Sequence, residues 1–274
     1  GYEKWAQVFA VWLDDDLRGG RAFHYFRTVT AYFAEELAKN RETVSFCRTA
    51  ADLKNTAQAG RRAALLSIEG SAALAGSIQH LYDAKHLGVS LITLTWNGRC
   101  EAGDGCGVPG AGGLTPFGKE LVQEMNRLRM IVDVSHLSEQ GFWDVARAAR
   151  RPFVASHSDS KAVCGHRRNL TDDQFREIVK DGGLVGLNLC TDFLGGNGAS
   201  AQDVLRHADH FLHLGGENVL AVGSDFDGCT PAEGLDRVEK MADLSRLLSD
   251  EFGKETAERI FWENAFDFFA KNLS

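Results

Sequence analysis

The sequence predicts an α/β fold, a (β/α)8 TIM-like barrel spanning residues 1–274 as one domain with C-terminal helices. Two patterns carry this reading. Short runs rich in Val, Ile and Leu alternate with amphipathic stretches of helical length, and continuous apolar strands separated by helices imply a parallel sheet buried on both faces. Polar, chemically capable residues close nearly every run: Glu69, Trp96-Asn97, His136, His157, Asn188 and Asp225. Barrel enzymes draw their sites from the C-terminal ends of many strands, whereas a doubly wound sheet gathers its site at one switch point.

The strand-length runs are 7–13, 63–69, 90–96, 130–136, 152–157, 183–189 and 219–225. Helical stretches lie near 22–38, 73–87, 116–128, 138–149, 171–181 and 201–213, and the section from about 235 to 272 reads as helical throughout. Thr115-Pro116 offers an N-cap followed by a proline whose missing N–H costs nothing there. Thr171 with Gln174 makes a capping box. Seven strands fall one short of a closed barrel. The expectation is therefore that a first βα unit precedes Gly1, or that one element is misread. The segment 103–113 holds six glycines in eleven residues and reads as a mobile loop on the active-site side.

Composition excludes several classes. Thirty Lys and Arg against 38 Asp and Glu give a net charge of −8, the wrong sign for a nucleic-acid partner. No apolar run approaches the roughly 18 residues of a membrane span; the longest is 63–68. Gly1-Tyr2-Glu3-Lys4-Trp5 has neither the basic nor the apolar region of a signal peptide, so a cytoplasmic location is expected. The six cysteines form no C-x-x-C, which removes zinc-ribbon and thioredoxin readings. They are expected to be free thiols, although Cys100 and Cys106 are near enough in sequence to pair under oxidising conditions.

The chemistry concentrates at the strand ends. Val132-Asp133-Val134-Ser135-His136 and Val154-Ala155-Ser156-His157 close successive runs. Adjacent parallel strands lie about 4.8 Å apart, so two such imidazoles can converge on one cation, zinc being the usual one for His nitrogen. The competing reading is two structural histidines. Glu69 closes Leu65-Leu66-Ser67-Ile68, a mostly apolar run, where a carboxylate is costly unless paired; it is a metal ligand or half of a buried salt bridge. Asp225 closes the last run as a ligand or proton shuttle, and Asp227 before Gly228 reads as a turn residue. Arg167-Arg168 suits a carboxylate grip or is a surface pair. Gly105 to Gly110 matches a dinucleotide fingerprint only literally, since it opens no helix. His207, His210 and His213 read as surface or packing residues of an outer helix, and Asp14-Asp15-Asp16 as a solvated loop.

At these residues the sequence resembles the membrane dipeptidase family of metallopeptidases, within the metal-dependent amidohydrolase type of barrel. The carrying segments are Ser67-Ile68-Glu69-Gly70, the run from Leu91 to Asn97, Leu114 to Leu121 continuing to His136, the stretch from Ser156-His157-Ser158 to Arg167-Arg168-Asn169, and Gly223 to Gly228. The resemblance implies a two-zinc barrel that hydrolyses the peptide bond of dipeptides with a metal-bridging hydroxide, and a homodimer. It implies that Glu69 bridges the zincs, that His136 and His157 ligate the second, that Arg168 anchors the substrate carboxylate, and that Asp225 contacts the substrate amine and handles protons. Two departures stand out. The His-x-Asp pair that ligates the first zinc in the family is absent ahead of Gln7. Trp96 occupies the place of a substrate-touching histidine, which makes it a candidate substrate-binding residue. The competing functions are another metal-dependent amidohydrolase, such as a deaminase or lactamase, and a barrel impaired in catalysis.

Overall fold

The structure, a computed structural model, describes residues 4–274 and divides into two compact units: Gly1–Arg151 with Phe269–Ser274, and Pro152–Phe268.

The first unit holds strands β1 (Ala6–Trp12), β2 (Val44–Phe46), β3 (Arg62–Glu69), β4 (Val89–Thr93) and β5 (Ile131–Asp133). Its helices are α1 (Gly19–Lys39), α2 (Ala50–Gln58), α3 (Ile78–His86), α4 (Pro116–Arg127) and α5 (Glu139–Ala148). β3 is the spine. Its residues Ala63 to Ile68 are fully buried, and each large apolar side chain so removed from water stabilises the fold by about 1.5–3 kcal/mol. β1 and β4 pair with it in parallel, and β5 follows β4. The pairing register sets Trp12 opposite Glu69, Glu69 opposite Thr93 and Thr93 opposite Asp133. One level of the sheet thus carries an aromatic, a carboxylate, a hydroxyl and a second carboxylate.

The helices follow their sequence signals. Thr115 Oγ1 accepts the Gly118 N–H at 3.0 Å to open α4, which turns Leu121, Val122 and Met125 inward. The helix expected at 73–87 is broken into a 3-10 turn, Ser71–Leu74, and α3. Ala75 and Gly76 between them are both left-handed, with φ of 51° and 68°, which stops helix propagation. β2 and α2 were not expected. β2 pairs with the start of β3, at Arg62 to Ala64, and so lies off the path that runs from β1 to β5. Three half-buried residues show no period to read.

The second unit holds β6 (Val154–Ala155), β7 (Leu184–Leu187) and β8 (Leu220–Val222), paired in parallel. Its helices are α6 (Asp172–Asp181), α7 (Thr191–Leu194), α8 (Ala201–His213), α9 (Met241–Phe252) and α10 (Lys254–Glu258), and it holds the start of α11 (Asn264–Asn272), whose last residues are counted in the first unit. Thr171 and Gln174 form the expected reciprocal cap of α6. A π turn, Arg259–Glu263, joins α10 to α11. There Asn264 Nδ2 donates to the carbonyls of Glu217 at 2.9 Å and Leu220 at 2.8 Å, tying the last helices to β8.

All seven expected strands exist, but most are shorter than their apolar runs. β5 ends at Asp133, β6 at Ala155 and β8 at Val222. His136, His157 and Asp225 therefore stand in the turns just beyond, and only Glu69 lies within its strand. Among the described residues no helix is long and apolar enough to cross a membrane, and all six cysteines are free thiols.

Candidate active site

In the first unit the site grows from the ends of β3, β4 and β5. His136 is only 7% exposed and holds φ at 67°, a left-handed conformation that costs a side-chain residue about 1–3 kcal/mol and persists only where its surroundings impose it. Those surroundings are visible. Asp133, fully buried, accepts Thr93 Oγ1–H at 2.6 Å and the Ser135 N–H at 3.0 Å, fixing the turn into His136. The Cys106 N–H donates to the His136 carbonyl at 2.7 Å. The ring is held at both nitrogens: Nδ1 lies 3.0 Å from Asn97 Oδ1 and Nε2 lies 3.0 Å from Glu69 Oε1. An amide oxygen only accepts, so Nδ1–H donates to Asn97, and Nε2 is the nitrogen that would give its lone pair to a cation held between the ring and Glu69.

Beside this pair stand two tryptophans. Trp12 is 40% exposed and meets Trp96 edge to face, with centroids 5.1 Å apart; Trp96 lies 6.3 Å from the His136 ring. The glycine-rich loop is fastened down. Arg99 pairs with Asp104 at 2.5 Å and holds its carboxyl below the usual range. The N–H groups of Gly105 and Gly107 donate to the carbonyls of Gly98 and Asn97. A Cβ on Gly105 would collide with the Trp96 carbonyl. Glycine at 105 permits close approach of two backbones. Asp15, from the acidic run taken as solvated, accepts the Gly98 N–H at 2.7 Å, and its burial raises its pKa.

In the second unit His157 follows β6, is 8% exposed and has Nδ1 2.7 Å from Ser156 Oγ. The adjacent arginines separate: Arg167 is exposed and Arg168 is buried. Arg168 donates from Nη2 to the His157 carbonyl at 3.1 Å and lies over the Phe193 ring at 5.2 Å. Its buried Nε has no hydrogen-bond partner, and no carboxylate forms an ion pair with it among the described residues. The nearest acid by influence is Asp159, whose complete burial pushes its carboxyl well up toward the neutral form. Asp225 sits at φ 57° and accepts Asn188 Nδ2–H at 3.1 Å. Asn188 is a fully buried hub: it also donates toward the His157 carbonyl, accepts the Cys190 N–H at 2.6 Å, and gives its own N–H to Asp159.

His207, set aside in the sequence, is fully buried and braces this region. Its Nδ1 accepts the Ser160 N–H at 3.0 Å, and Nε2 donates to the Leu194 carbonyl at 3.1 Å. Burial lowers its pKa to about 4, so it is neutral. Asn97, Asn188 and His207 are the residues the sequence reading left without a role. Asn97 and Asn188 do close strand runs, which was the available signal.

Glu69 and His136 in the first unit, and His157 in the second, are of the donor types that hold a metal ion. One carboxylate with two imidazoles fits a borderline divalent cation such as zinc, and the Nδ1 partner of His136 is the outer support that metal-ligating histidines require.

The membrane dipeptidase family model, peptidase family M19, matches residues 4–272. The chain belongs to that family. A curated relative from Klebsiella pneumoniae, described as an uncharacterized protein in the pqqA 5' region, is 34% identical over 246 residues, covering 85% of this chain and 91% of its own. Two solved structures of metallopeptidases are each 29% identical. Dipeptidase AC of family M19 superposes with a TM-score of 0.93 over 98% of this chain and 86% of its own. A Rhodobacter sphaeroides enzyme bound to a phosphinate mimic of L-Ala-D-Ala superposes with a TM-score of 0.91, over 97% and 86%. This M19 chain thus has the α/β, TIM-barrel-like fold of those enzymes and is a metal-dependent dipeptidase, a hydrolase.

Proposed function

We propose that this M19 chain is a zinc-dependent hydrolase of free dipeptides, with Glu69, His136 and His157 as metal ligands, Arg168 and Trp96 as substrate-binding residues, and Asp225 as the residue that moves a proton. The observation that carries the substrate class is Arg168: a guanidinium 6% exposed, without a carboxylate partner and with its Nε unsatisfied. A buried cation so left is expensive unless an anion arrives, and a dipeptide's C-terminal carboxylate matches the fork of an arginine.

When bound, the metal supplies Lewis-acid polarisation of the scissile carbonyl and acidity to a water. The protein does the rest. Asn97 fixes the His136 tautomer so that Nε2 remains a lone-pair donor. Arg168 sets substrate length, because a longer peptide places no carboxylate at its fork. Asn188 Nδ2 holds Asp225 Oδ2, and the carboxylate so oriented accepts a proton and returns it to the departing amine. Trp12 and Trp96 form an apolar wall that restricts the side chain next to them. A homodimer belongs to the same reading and is checked by light scattering.

The test is metal analysis of the purified chain followed by assay on a dipeptide panel, the matching dipeptide amides, nucleobases and lactones. Bound zinc with hydrolysis of dipeptides, lost on chelation and much weaker on the amides, is expected. Turnover of nucleobases or lactones alone rejects the proposal.

A further inference from the structure

A groove between α1 and β2 is chemically unlike the rest of this acidic chain. One face of α1 contributes Arg27, Thr30, Ala34 and Leu37 to it, residues spaced by three and four as a single helical face requires, and Arg41 follows just beyond the helix end. Val44, Phe46, Arg48 and Arg61 line it from the other side. The space is about 640 Å³, within the range of small-molecule sites.

The walls are built rather than incidental. Phe33 and Phe46 meet edge to face at 5.4 Å, and the Arg48 guanidinium stands 4.8 Å over the Phe46 ring. Gly88, at φ 96°, makes room for both: a Cβ there would fall 2.6 Å from Phe46 Cζ and 2.9 Å from Arg48 Nε. Arg61 Nη2 donates to the carbonyls of Val44, at 3.0 Å, and Arg41.

The charges in this groove lack counterparts. Arg41 pairs with Glu42, but no carboxylate pairs with Arg27, Arg48 or Arg61 among the described residues. The buried Arg61 Nε and the Oγ1 of Thr30, a residue 5% exposed, have no hydrogen-bond partner. In a chain of net charge −8, three guanidiniums without a carboxylate partner, the exposed Arg27 and Arg48 and the half-buried Arg61, border one apolar space and can receive an anion. Planar guanidiniums select a planar carboxylate. The small side chains of Ala31, Ala34 and Ala38 leave a strip of about 10 Å along the helix, at roughly 1.5 Å per residue, which suits an extended chain rather than a compact ring.

We propose that this groove binds an anionic amphiphile, an acyl carboxylate of medium chain length, with its head on the arginines and its chain along the alanine face of α1. The test is calorimetric titration of the full chain with decanoate, and with decanol as the neutral control. Saturable one-to-one binding of decanoate, at least about tenfold weaker binding of decanol, and at least about tenfold loss in the Arg27→Ala/Arg48→Ala double variant are expected. Ala34→Trp, on the exposed side of α1, fills the strip and abolishes binding while the melting temperature and dipeptide hydrolysis stay unchanged. The inference is overturned by absence of saturable decanoate binding, by decanol binding as tightly, or by an undiminished affinity in the double arginine variant. None of these outcomes bears on the dipeptidase reading, since every lining residue lies outside the proposed site.

Discussion

Asn97 Oδ1 stands 3.0 Å from His136 Nδ1, and the same imidazole turns its other nitrogen to Glu69. The amide accepts one proton and thereby decides where the ring's lone pair points. Asn97→Ala removes that decision. Metal affinity is expected to fall about 10- to 100-fold, read by competitive titration of the apo protein with zinc against a chromophoric chelator. Asn97→Asp keeps an acceptor and retains most of the affinity. Equal affinities in wild type and Asn97→Ala reject the positioning role.

Arg168 yields a kinetic prediction. Its loss should raise KM for dipeptides with a smaller effect on kcat, lowering kcat/KM by about 10- to 100-fold, the equivalent of a hydrogen bond to a charged group at roughly 1.5–3 kcal/mol. Wild-type enzyme given a dipeptide amide should show a similar loss, and Arg168→Ala should no longer distinguish amide from acid. A variant that still prefers the free acid contradicts the assignment.

Trp96 carries a prediction about selectivity. Its edge-to-face contact with Trp12 is worth about 0.5–1.5 kcal/mol, so Trp96→His should lower the melting temperature by only a few degrees. The ratio of kcat/KM between a dipeptide with a bulky apolar side chain and Ala-Ala should shift by about tenfold. An unchanged ratio removes Trp96 from the substrate-binding set.

His207 makes a prediction about pH. Its folded pKa of about 4 lies below the ordinary 6.5, with burial as the main cause and Arg206 and His210 acting in the same direction against Asp203. Above pH 6.5 both folded and unfolded chains hold it neutral, and its contribution is fully present. As pH falls from 6.5 toward 4 only the unfolded chain takes up the proton, so stability drops by up to roughly 3 kcal/mol, then levels off. Urea melts at pH 7 and pH 4.5 should show this drop in wild type. His207→Asn, which keeps an acceptor for the Ser160 N–H, should show much less of it.

The fold was legible where long apolar runs met strong caps. β3 announces itself by Leu65, Leu66 and Ile68, and α4 and α6 by Thr115 and Thr171. β2 and the single turn α7 are too short to carry a period. α2 had a readable signal in Thr49 and Asp52, which form a reciprocal cap in the structure. Strand ends were read too long because His136, His157 and Asp225 follow their strands through residues that look extended, whereas the backbone at His136 and Asp225 is left-handed. Donor types at those ends could be named from sequence. Asn97 and Asn188 could be named as strand-end residues too, but not the groups they aim, because each acts across elements far apart in the chain. In the loop 103–113 composition shows the glycines but not which of them is pressed against another backbone, as Gly105 is.

Gly186 and Gly223 are pressed in the same way at the mouth of the second unit. A Cβ on either would collide with the carbonyl oxygen of Ser156, the residue immediately before His157. Exchanging a lone hydrogen for a methyl group there would shove the peptide that carries the imidazole, without touching one chemically reactive atom. A screen for inactivating changes should therefore find alanine at 186 or 223 among them, in protein that still folds, and sequence comparison of reactive side chains alone would never explain why.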